Sequence, residues 1–353
     1  MDAIDQALEM LAGCGPEFGD NGLSNHGPMA SEALAAMGRG NAVEAWVERY
    51  RERLAERPPL VERIAPEQWR EALGDVRRVS DWEAFFGREV DSAPWRNVVD
   101  TWVARLAPGI MAAATHGLIR TAHAVRSLAA DEGSRERKAE LATGLAYWAA
   151  RYQALPGTMH PAEARLPSEA IGDVPVMPRE LRNPRPGNIF TAVNELDGFP
   201  AFEGVAGLAA PGEDLSAFIS DLTTTMARFY LENAGVGSIA YVHTVTAPSA
   251  LRMLAPHVSA GTARIAARYA WVACAAIHAR SHAPHDVAMP EELPEREDLI
   301  DRAVFAGDEH AIKFTEACLR EYELNPDPAL LAGPLDLSNR YGRRKREGQG
   351  TNG

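Results

Sequence analysis

Apolar residues recur along most of this chain at the three- and four-residue spacing of an α-helix. The spacing predicts helices over residues 43–54, 82–86, 95–106, 110–129, 140–154, 215–231, 249–256, 262–279 and 308–322. Asn41 with Glu44 and Ser80 with Glu83 have the spacing of helix capping boxes. The short apolar run 239–242 resembles a strand, but no alternating strand–helix rhythm accompanies it. The pattern therefore predicts an all-α fold.

Prolines interrupt this helical pattern between residues 156 and 214, where nine of them occur. A segment of this length in a compact protein is usually functional or disordered. Ile189, Phe190, Phe199 and Phe202 give it enough apolar surface to pack as a lid or crossover between two helical halves. We therefore expect one large helical domain over residues 1–337, built around a central metal or substrate cavity. A flexible, basic and Gly-rich tail should follow over residues 338–353.

The charge of the chain limits the functions it can have. The formal net charge is −13 and the pI is near 5.3, which argues against binding nucleic acid or an anionic membrane surface. The basic cluster at 343–346 lies in the predicted tail. Three scattered cysteines, no signal-peptide pattern and no long apolar run together predict a cytoplasmic protein. Its oligomeric state stays open.

The predicted helix 308–322 carries a lysine on its apolar face. Lys313 shares one stripe with His310, Phe314 and Ala317, so it should point inward. A buried lysine must find a partner, lose its proton or be chemically altered. One interpretation is an interior ion pair with a carboxylate. The other is a metal site.

Several histidines also lie in apolar helical surroundings. His26 stands at a predicted helix entrance, His116 among small residues, and His243 just ahead of a predicted helix. Each alone is typical of a hydrogen-bonded core histidine. Together with His310 and Lys313, they could converge on one metal ion inside a helical bundle.

Spacing separates the remaining histidines from this set. His123 follows His116 by two helical turns, too far for both to reach one ion easily, so we assign it a supporting or structural role. His278 and His282 have the i, i+4 spacing of a metal-binding pair, but lack the following glutamate, and Pro284 ends their helix. Replacement of a proposed ligand by one of this pair stays open.

Other chemistries lack their sequence signals. The Gly-x-Gly at 235–237 has neither a third glycine nor a flanking strand, so it does not indicate a Rossmann site. The chain also lacks a P-loop and a Gly-x-Ser-x-Gly nucleophile elbow. A Rossmann site with built-in flavin chemistry, a P-loop site and a serine-hydrolase mechanism are therefore disfavoured, whereas use of NADPH stays possible.

Four motif regions, in their order along the chain, resemble the questin oxidase-like family. They are Asn25-His26-Gly27-Pro28, His116-Gly117-Leu118-Ile119, His243-Thr244-Val245-Thr246 with Ser249-Ala250-Leu251-Arg252, and Asp308-Glu309-His310-Ala311-Ile312-Lys313. The resemblance implies an oxidoreductase of aromatic polyketide metabolism. It would use O2 on an anthraquinone-like ring and open the ring with an outcome like a Baeyer–Villiger oxidation.

The resemblance further implies a mononuclear non-haem Fe(II) held by four histidines and a carboxylated lysine. On this chain, these roles fall to His26, His116, His243 and His310, with Lys313 as the modified ligand. A buried neutral amine can add carbon dioxide, and the carbamate is an anionic oxygen ligand. The chain departs from the fungal pattern in being shorter and in having a glycine next to His26, where bulkier residues are usual.

Three further residues are predicted near the reacting oxygens. Arg120, Tyr241 and Arg252 lie close in sequence to the proposed ligands and could pair with phenolate oxygens of a substrate. One alternative is an NADPH-linked or cofactor-independent oxidoreductase of the same pathway, with histidines as acid–base groups. Another is a non-catalytic helical binding protein whose histidines only satisfy the core.

Overall fold

The computed structural model describes residues 2–157, 159, 162–234, 238–285 and 289–350, with side chains as far as Arg343. It confirms the all-α prediction. The α-helices are α1 (Ala3–Leu11), α2 (Gly27–Ala36), α3 (Val43–Arg51), α4 (Val79–Ser92), α5 (Trp95–Leu106), α6 (His116–Ala130), α7 (Arg135–Ala150), α8 (Pro167–Ala170), α9 (Ile189–Val193), α10 (Leu215–Glu232), α11 (Ser238–Leu254), α12 (Ala260–Ser281), α13 (Arg296–Ala306), α14 (Glu309–Leu324) and α15 (Ala329–Gly350). A small antiparallel hairpin pairs β1 (Glu17–Phe18) with β2 (Leu23–Ser24). None of the described helices is both long enough and apolar enough to cross a membrane.

Four helices form a closed ring at the centre of the protein. Helix α2 packs against α6 and α14, and α11 packs against the same two helices from the other side. Helix α14 is buried on both faces, because Phe314 and Cys318 enter the main hydrophobic core while Ile312 and Leu319 enter a smaller one beside α1 and α3. Lys313 lies between these faces, and this explains its burial.

Among the predicted helix boundaries that were wrong, two lie beside proposed ligands. Residues 110–115 form no α-helix, because residues 113–115 adopt left-handed backbone conformations, and α6 therefore begins at His116. Helix α11 begins at Ser238 and continues through Pro248, so His243 lies inside the helix and the run 239–242 is helical. A proline usually indicates a helix start, but here the flanking turns pack well enough to hold it in the interior.

The segment between residues 156 and 214 is largely irregular in its described part, which contains α8, α9 and several 3-10 turns. The Gly-x-Gly at 235–237 lies outside the described residues. The predicted boundary between domain and tail at residues 337/338 does not coincide with a helix end, because α15 runs on to Gly350 and Ser338 is buried. The flexibility of the tail stays a prediction.

Candidate metal centre

Three helix N-termini bring histidines to one end of the helical ring. His26 is the residue before α2, His116 is the first residue of α6, and His310 is the second residue of α14. Helix N-termini carry partial positive charge, which disfavours protonated imidazole and favours anions. Neutral histidines and anionic groups therefore suit this location.

The entrance to α2 is packed tightly around His26. The backbone N–H of His26 donates to Tyr50 Oη at 2.7 Å, and Asn25 Oδ1 accepts from the N–H of Gly27 at 2.9 Å. A Cβ on Gly27 would lie 2.8 Å from Leu11 Cδ1. A side chain at position 27 would therefore need Leu11 and Asn25 to shift, and glycine avoids this crowding.

A strained turn fixes the orientation of His116. Ala113, Ala114 and Thr115 have φ values of 48°, 57° and 71°, which is costly for residues with a Cβ. The turn places the Ala113 carbonyl 2.6 Å from His116 Nδ1. This carbonyl can only accept, so Nδ1 carries the proton and Nε2 keeps a free lone pair.

The residue after His116 allows α6 to lie close to α7. A Cβ on Gly117 would lie 2.7 Å from the Cα of Trp148, so only glycine permits this approach of the two helices. The Trp148 Nε1 in turn donates to the Gly109 carbonyl at 3.2 Å, just before the strained turn. Helix α7 therefore supports both the turn and the start of α6.

Asp308 positions His310 from outside the helix. Its carboxylate accepts from the backbone N–H groups of His310 and Ala311 at 2.9 and 3.2 Å, and it lies 3.6 Å from His310 Nδ1. The adjacent Glu309 pairs with Arg53 at 2.5 Å. Both carboxylates at the start of α14 are thus engaged in holding the helix entrance.

The structure brings all four histidines together. The ring centroid of His26 lies 4.4 Å from that of His116 and 4.6 Å from that of His310. The ring centroid of His243 lies 4.6 Å from that of His116 and 5.8 Å from that of His310. Ligand nitrogens of His26, His116 and His310 all lie within 4.8 Å of one another. One metal ion could therefore contact several of these rings.

Burial favours the neutral form of His26, His116 and His243. Desolvation lowers the pKa of His26, His116 and His243 well below 6.5, and the nearby charges of Lys313 and the other histidines lower it further. His26 Nδ1, His116 Nε2 and His243 Nδ1 are buried without a hydrogen-bond partner in the described structure. An unpaired buried nitrogen costs about 1–3 kcal/mol. Three of them in one cluster suit metal ligation.

Lys313 is 2% exposed and sits one turn after His310. Burial lowers the pKa of its amine to about 8, against the opposing effect of the Glu309 and Asp308 carboxylates. Among the described residues, Lys313 makes no salt bridge within 4.0 Å, since Glu309 pairs with Arg53 instead. The ion-pair interpretation of Lys313 is therefore not supported by the geometry.

A cavity of about 220 Å³ opens beside the four histidines. Its walls are mainly apolar and come from the β1–β2 hairpin, the strained turn, the start of α11 and the irregular crossover. The lining residues other than the histidines are Phe18, Gly22, Leu23, Ser24, Ala113, Ala114, Gly187, Asn188, Ile189, Phe190, Ile239 and Glu309. The part of the crossover at 187–190 therefore covers this cavity, and its apolar walls suit a flat, apolar molecule.

The three predicted substrate partners do not line this cavity. Arg120 makes a bidentate ion pair with Glu140 at 2.6 and 2.8 Å and lines a different cavity. Arg252 is bound to Glu321 and to two serines of α10. The Tyr241 hydroxyl lies 3.1 Å from His278 Nδ1. Their proximity to the ligands in sequence was misleading, because each side chain leaves its helix on another face.

The competing histidines also lie apart from the cluster. His278 and His282 pack against Phe229, and burial lowers the pKa of His278 to about 3. His123 binds Glu32 through Nδ1 at 2.6 Å, in agreement with a structural role. The residues that sequence reasoning missed are Ala113, Asp308 and the hairpin residue Ser24. Only Asp308 had a local signal, as a helix cap ahead of His310.

A buried ionic network connects helices α2, α6, α11 and α14, which also position the four histidines. Glu32 of α2 binds His123 and Arg126 of α6, and Arg126 binds Glu316 of α14 at 2.5 Å. Arg320 binds Glu316 at 3.0 Å and donates to the Ser249 carbonyl of α11 at 2.6 Å. The network therefore fixes the relative positions of the helices that carry the histidines.

Replacement of Glu316 by glutamine should lower the free energy of unfolding by about 2–4 kcal/mol, because it leaves two arginines without their buried partner. Burial raises the pKa of Glu316, but Arg320 and Arg126 outweigh it and hold the pKa well below 4.5. The stabilisation by ionised Glu316 should therefore be complete at neutral pH and be lost as the pH falls below 4.5. Urea unfolding at several pH values measures this part of the free energy of unfolding. Glu323→Gln, at an exposed pair with Arg296, is the control and should cost under about 1 kcal/mol.

The strained turn gives a second stability prediction. Ala114→Gly removes the Cβ from a residue with φ of 57° and should relieve strain, whereas Ala112→Gly removes a buried methyl where φ is not positive. We expect Ala114→Gly to be more stable than Ala112→Gly by about 1–2 kcal/mol in urea unfolding. Equal stabilities of the two variants would contradict the assignment of strain.

The fold and the site define an all-α protein in which three buried histidines and the partly exposed His310 meet inside a helical bundle. The chain belongs to the questin oxidase-like family, whose model matches residues 23–227. The matched segment contains His26 and His116 and ends before His243. Family membership indicates an oxidase of polyketide metabolism. A search of curated proteins found no match.

Proposed function

We propose that this protein is a non-haem iron-dependent oxygenase that uses O2 to cleave or oxygenate a ring of an anthraquinone-like aromatic polyketide. The outcome would resemble a Baeyer–Villiger oxidation. The observation that carries the proposal is the group of three unpaired, buried imidazole nitrogens beside an apolar cavity. The residues that would hold the iron are His26, His116, His243, His310 and a carboxylated Lys313.

The donor set fits a first-row transition metal. Neutral imidazoles bind iron, copper and zinc well, and these rings stay neutral because burial lowers their pKa. Three of the rings carry a buried nitrogen free of hydrogen bonds in the described structure. An anionic oxygen ligand from Lys313 would lower the net charge of such a centre.

Lys313 can become that ligand by simple chemistry. With a pKa of about 8, a fraction of its amine is unprotonated at neutral pH. The amine nitrogen then forms a bond to the carbon of CO2, a proton leaves to water, and a carbamate results. Burial of the lysine shields the carbamate from hydrolysis, and the positive ends of three helices favour its negative charge.

Bound iron would supply activation of O2 and stabilisation of negative charge on the substrate. The protein supplies the rest. The Ala113 carbonyl keeps the proton of His116 on Nδ1, and Asp308 holds the entrance of α14. Phe18, Phe190 and Ile239 offer apolar walls that would orient a flat ring and exclude water from the reacting atoms.

The proposal is tested with the purified protein, 1,8-dihydroxyanthraquinone and oxygen. We expect O2 uptake that scales with iron content, and incorporation of isotopically labelled oxygen from O2 into the product. NADPH is supplied as electron donor, because insertion of a single oxygen atom needs two electrons, whereas insertion of both atoms of O2 needs none. Turnover that needs NADPH and survives removal of iron would contradict the proposal and favour the metal-independent oxidoreductase.

A further inference from the structure

Ser24 lines the histidine cavity and carries a hydroxyl group. It belongs to β2, is 5% exposed and lines the cavity two residues before His26. Among the described lining residues, it carries the one hydroxyl. Its Oγ lies 2.8 Å from the Oη of Tyr147, on helix α7.

The contact of Tyr147 with Glu17 decides which of Ser24 and Tyr147 is the donor in this hydrogen bond. Tyr147 donates its hydroxyl proton to Glu17 Oε1 at 2.9 Å, and a carboxylate can only accept. Arg151 donates to both oxygens of Glu17 at 2.5 Å, so this carboxylate accepts from Arg151 and Tyr147 together. Tyr147 has one proton and gives it to Glu17. Ser24 is therefore the donor in its bond to Tyr147, and its own proton points away from the cavity.

The other polar lining groups are already engaged. Asn188 accepts from the N–H of Thr191 at 2.9 Å and donates to the Asn21 carbonyl at 3.1 Å. Glu309 is paired with Arg53. Glu309 keeps a second carboxylate oxygen and Asn188 a second N–H, but Ser24 is the described lining residue with a hydroxyl, and this hydroxyl can offer a bound molecule only an acceptor.

We propose that Ser24 determines specificity by accepting a hydrogen bond from a free hydroxyl of the substrate, with Tyr147 and Glu17 as positioning residues that fix its polarity. The inference rests on the proposed function in that an aromatic molecule occupies the cavity. The ligand class is a fused-ring aromatic with an unmethylated phenolic hydroxyl. A methyl ether or a carbonyl at that place would set two acceptors against each other, which is unfavourable.

The test measures binding without turnover. The iron-loaded protein is titrated anaerobically with 2-hydroxyanthraquinone and with 2-methoxyanthraquinone. Wild type should bind the hydroxyl compound about tenfold more tightly, as expected for one buried hydrogen bond. Ser24→Ala should reduce this preference to about one by weakening the hydroxyl compound alone. Ser31→Ala is the matched control, since its buried hydroxyl donates to the Gly27 carbonyl and does not line the cavity.

Tyr147→Phe tests whether Ser24 prefers the hydroxyl compound because Tyr147 restricts it to accepting a hydrogen bond. It leaves Ser24 in place but removes its acceptor, so Ser24 can turn and donate to a ligand. We expect the methoxy compound to gain affinity until the preference of the protein for the hydroxyl compound falls from about tenfold to about threefold or less. Tyr230→Phe, which loses a buried hydroxyl bonded to Asp336, should keep the full preference.

The outcomes distinguish this inference from the proposed function. Equal binding of both compounds to wild type, or a preference that survives Ser24→Ala, overturns the role of Ser24 and leaves the aromatic oxygenase proposal standing. An unchanged preference in Tyr147→Phe overturns the polarity argument. Binding of neither compound overturns this inference together with the proposed substrate class.

Discussion

Replacement of Lys313 by arginine is expected to abolish iron binding and turnover as fully as replacement by alanine. A guanidinium stays charged and cannot form a carbamate, although it would serve well in an ion pair. Lys313→Glu should retain part of the iron, because it offers a shorter carboxylate at the same place. Iron content and O2 uptake should both be highest in the wild type, lower in Lys313→Glu, and lowest in Lys313→Ala and Lys313→Arg.

The control for this series is Lys138→Arg, on helix α7 and outside the cavity, which should keep wild-type iron and turnover. Metal analysis of each purified variant in solution gives the iron content per chain, and circular dichroism checks that each variant is folded. Normal iron content and turnover in Lys313→Arg would end the assignment of Lys313 as a ligand and restore the ion-pair interpretation.

Replacement of His243 by alanine should lower the affinity for iron by at least about ten- to hundredfold, the effect typical of losing even an outer partner of a ligand. The fold should persist at some cost in stability, because the substitution removes a hydrogen bond to the Ala114 backbone, whereas Nδ1 has no hydrogen-bond partner in the described structure. Iron content after dialysis against a weak chelator measures the loss, and circular dichroism checks the fold.

His278→Ala is the matched control for His243→Ala. It removes an equally buried histidine that packs against Phe229 away from the cluster, so its iron content should stay at the wild-type level. Loss of iron in His278→Ala with retention of iron in His243→Ala would indicate that His278 and His282 bind the metal instead. Absence of iron and of turnover from the wild type, with normal folding of both variants, would favour a binding protein whose histidines only satisfy the core.

The sequence was sufficient for the helical fold and for the inward direction of Lys313, because the apolar periodicity of α14 is long and regular. The convergence of the four histidines could be expected only from the order of the motifs along the chain, since no local pattern brings distant segments together. The start of α11 was predicted too far along the chain because Pro248 resembles a helix start, whereas tertiary packing holds this proline inside the helix.

Other parts of the site could not be predicted from the sequence. Nothing in the alanine-rich run before His116 indicates three left-handed residues, because alanine prefers a helix and only the surrounding packing imposes the turn. The contact between Ser24 and Tyr147 joins residues 123 positions apart. The opposite error was to place Arg120, Tyr241 and Arg252 at the cavity. Nearness in sequence to a ligand does not decide the face of the helix from which a side chain projects.

The proposed iron lies among the four histidines and Lys313. Anomalous diffraction measured above and below the iron absorption edge, on crystals of protein purified with its native metal, would locate it. We expect one peak, present only above the edge, within bonding distance of His26, His116, His243 and His310. A peak elsewhere, or none at that position in an active protein, would contradict it.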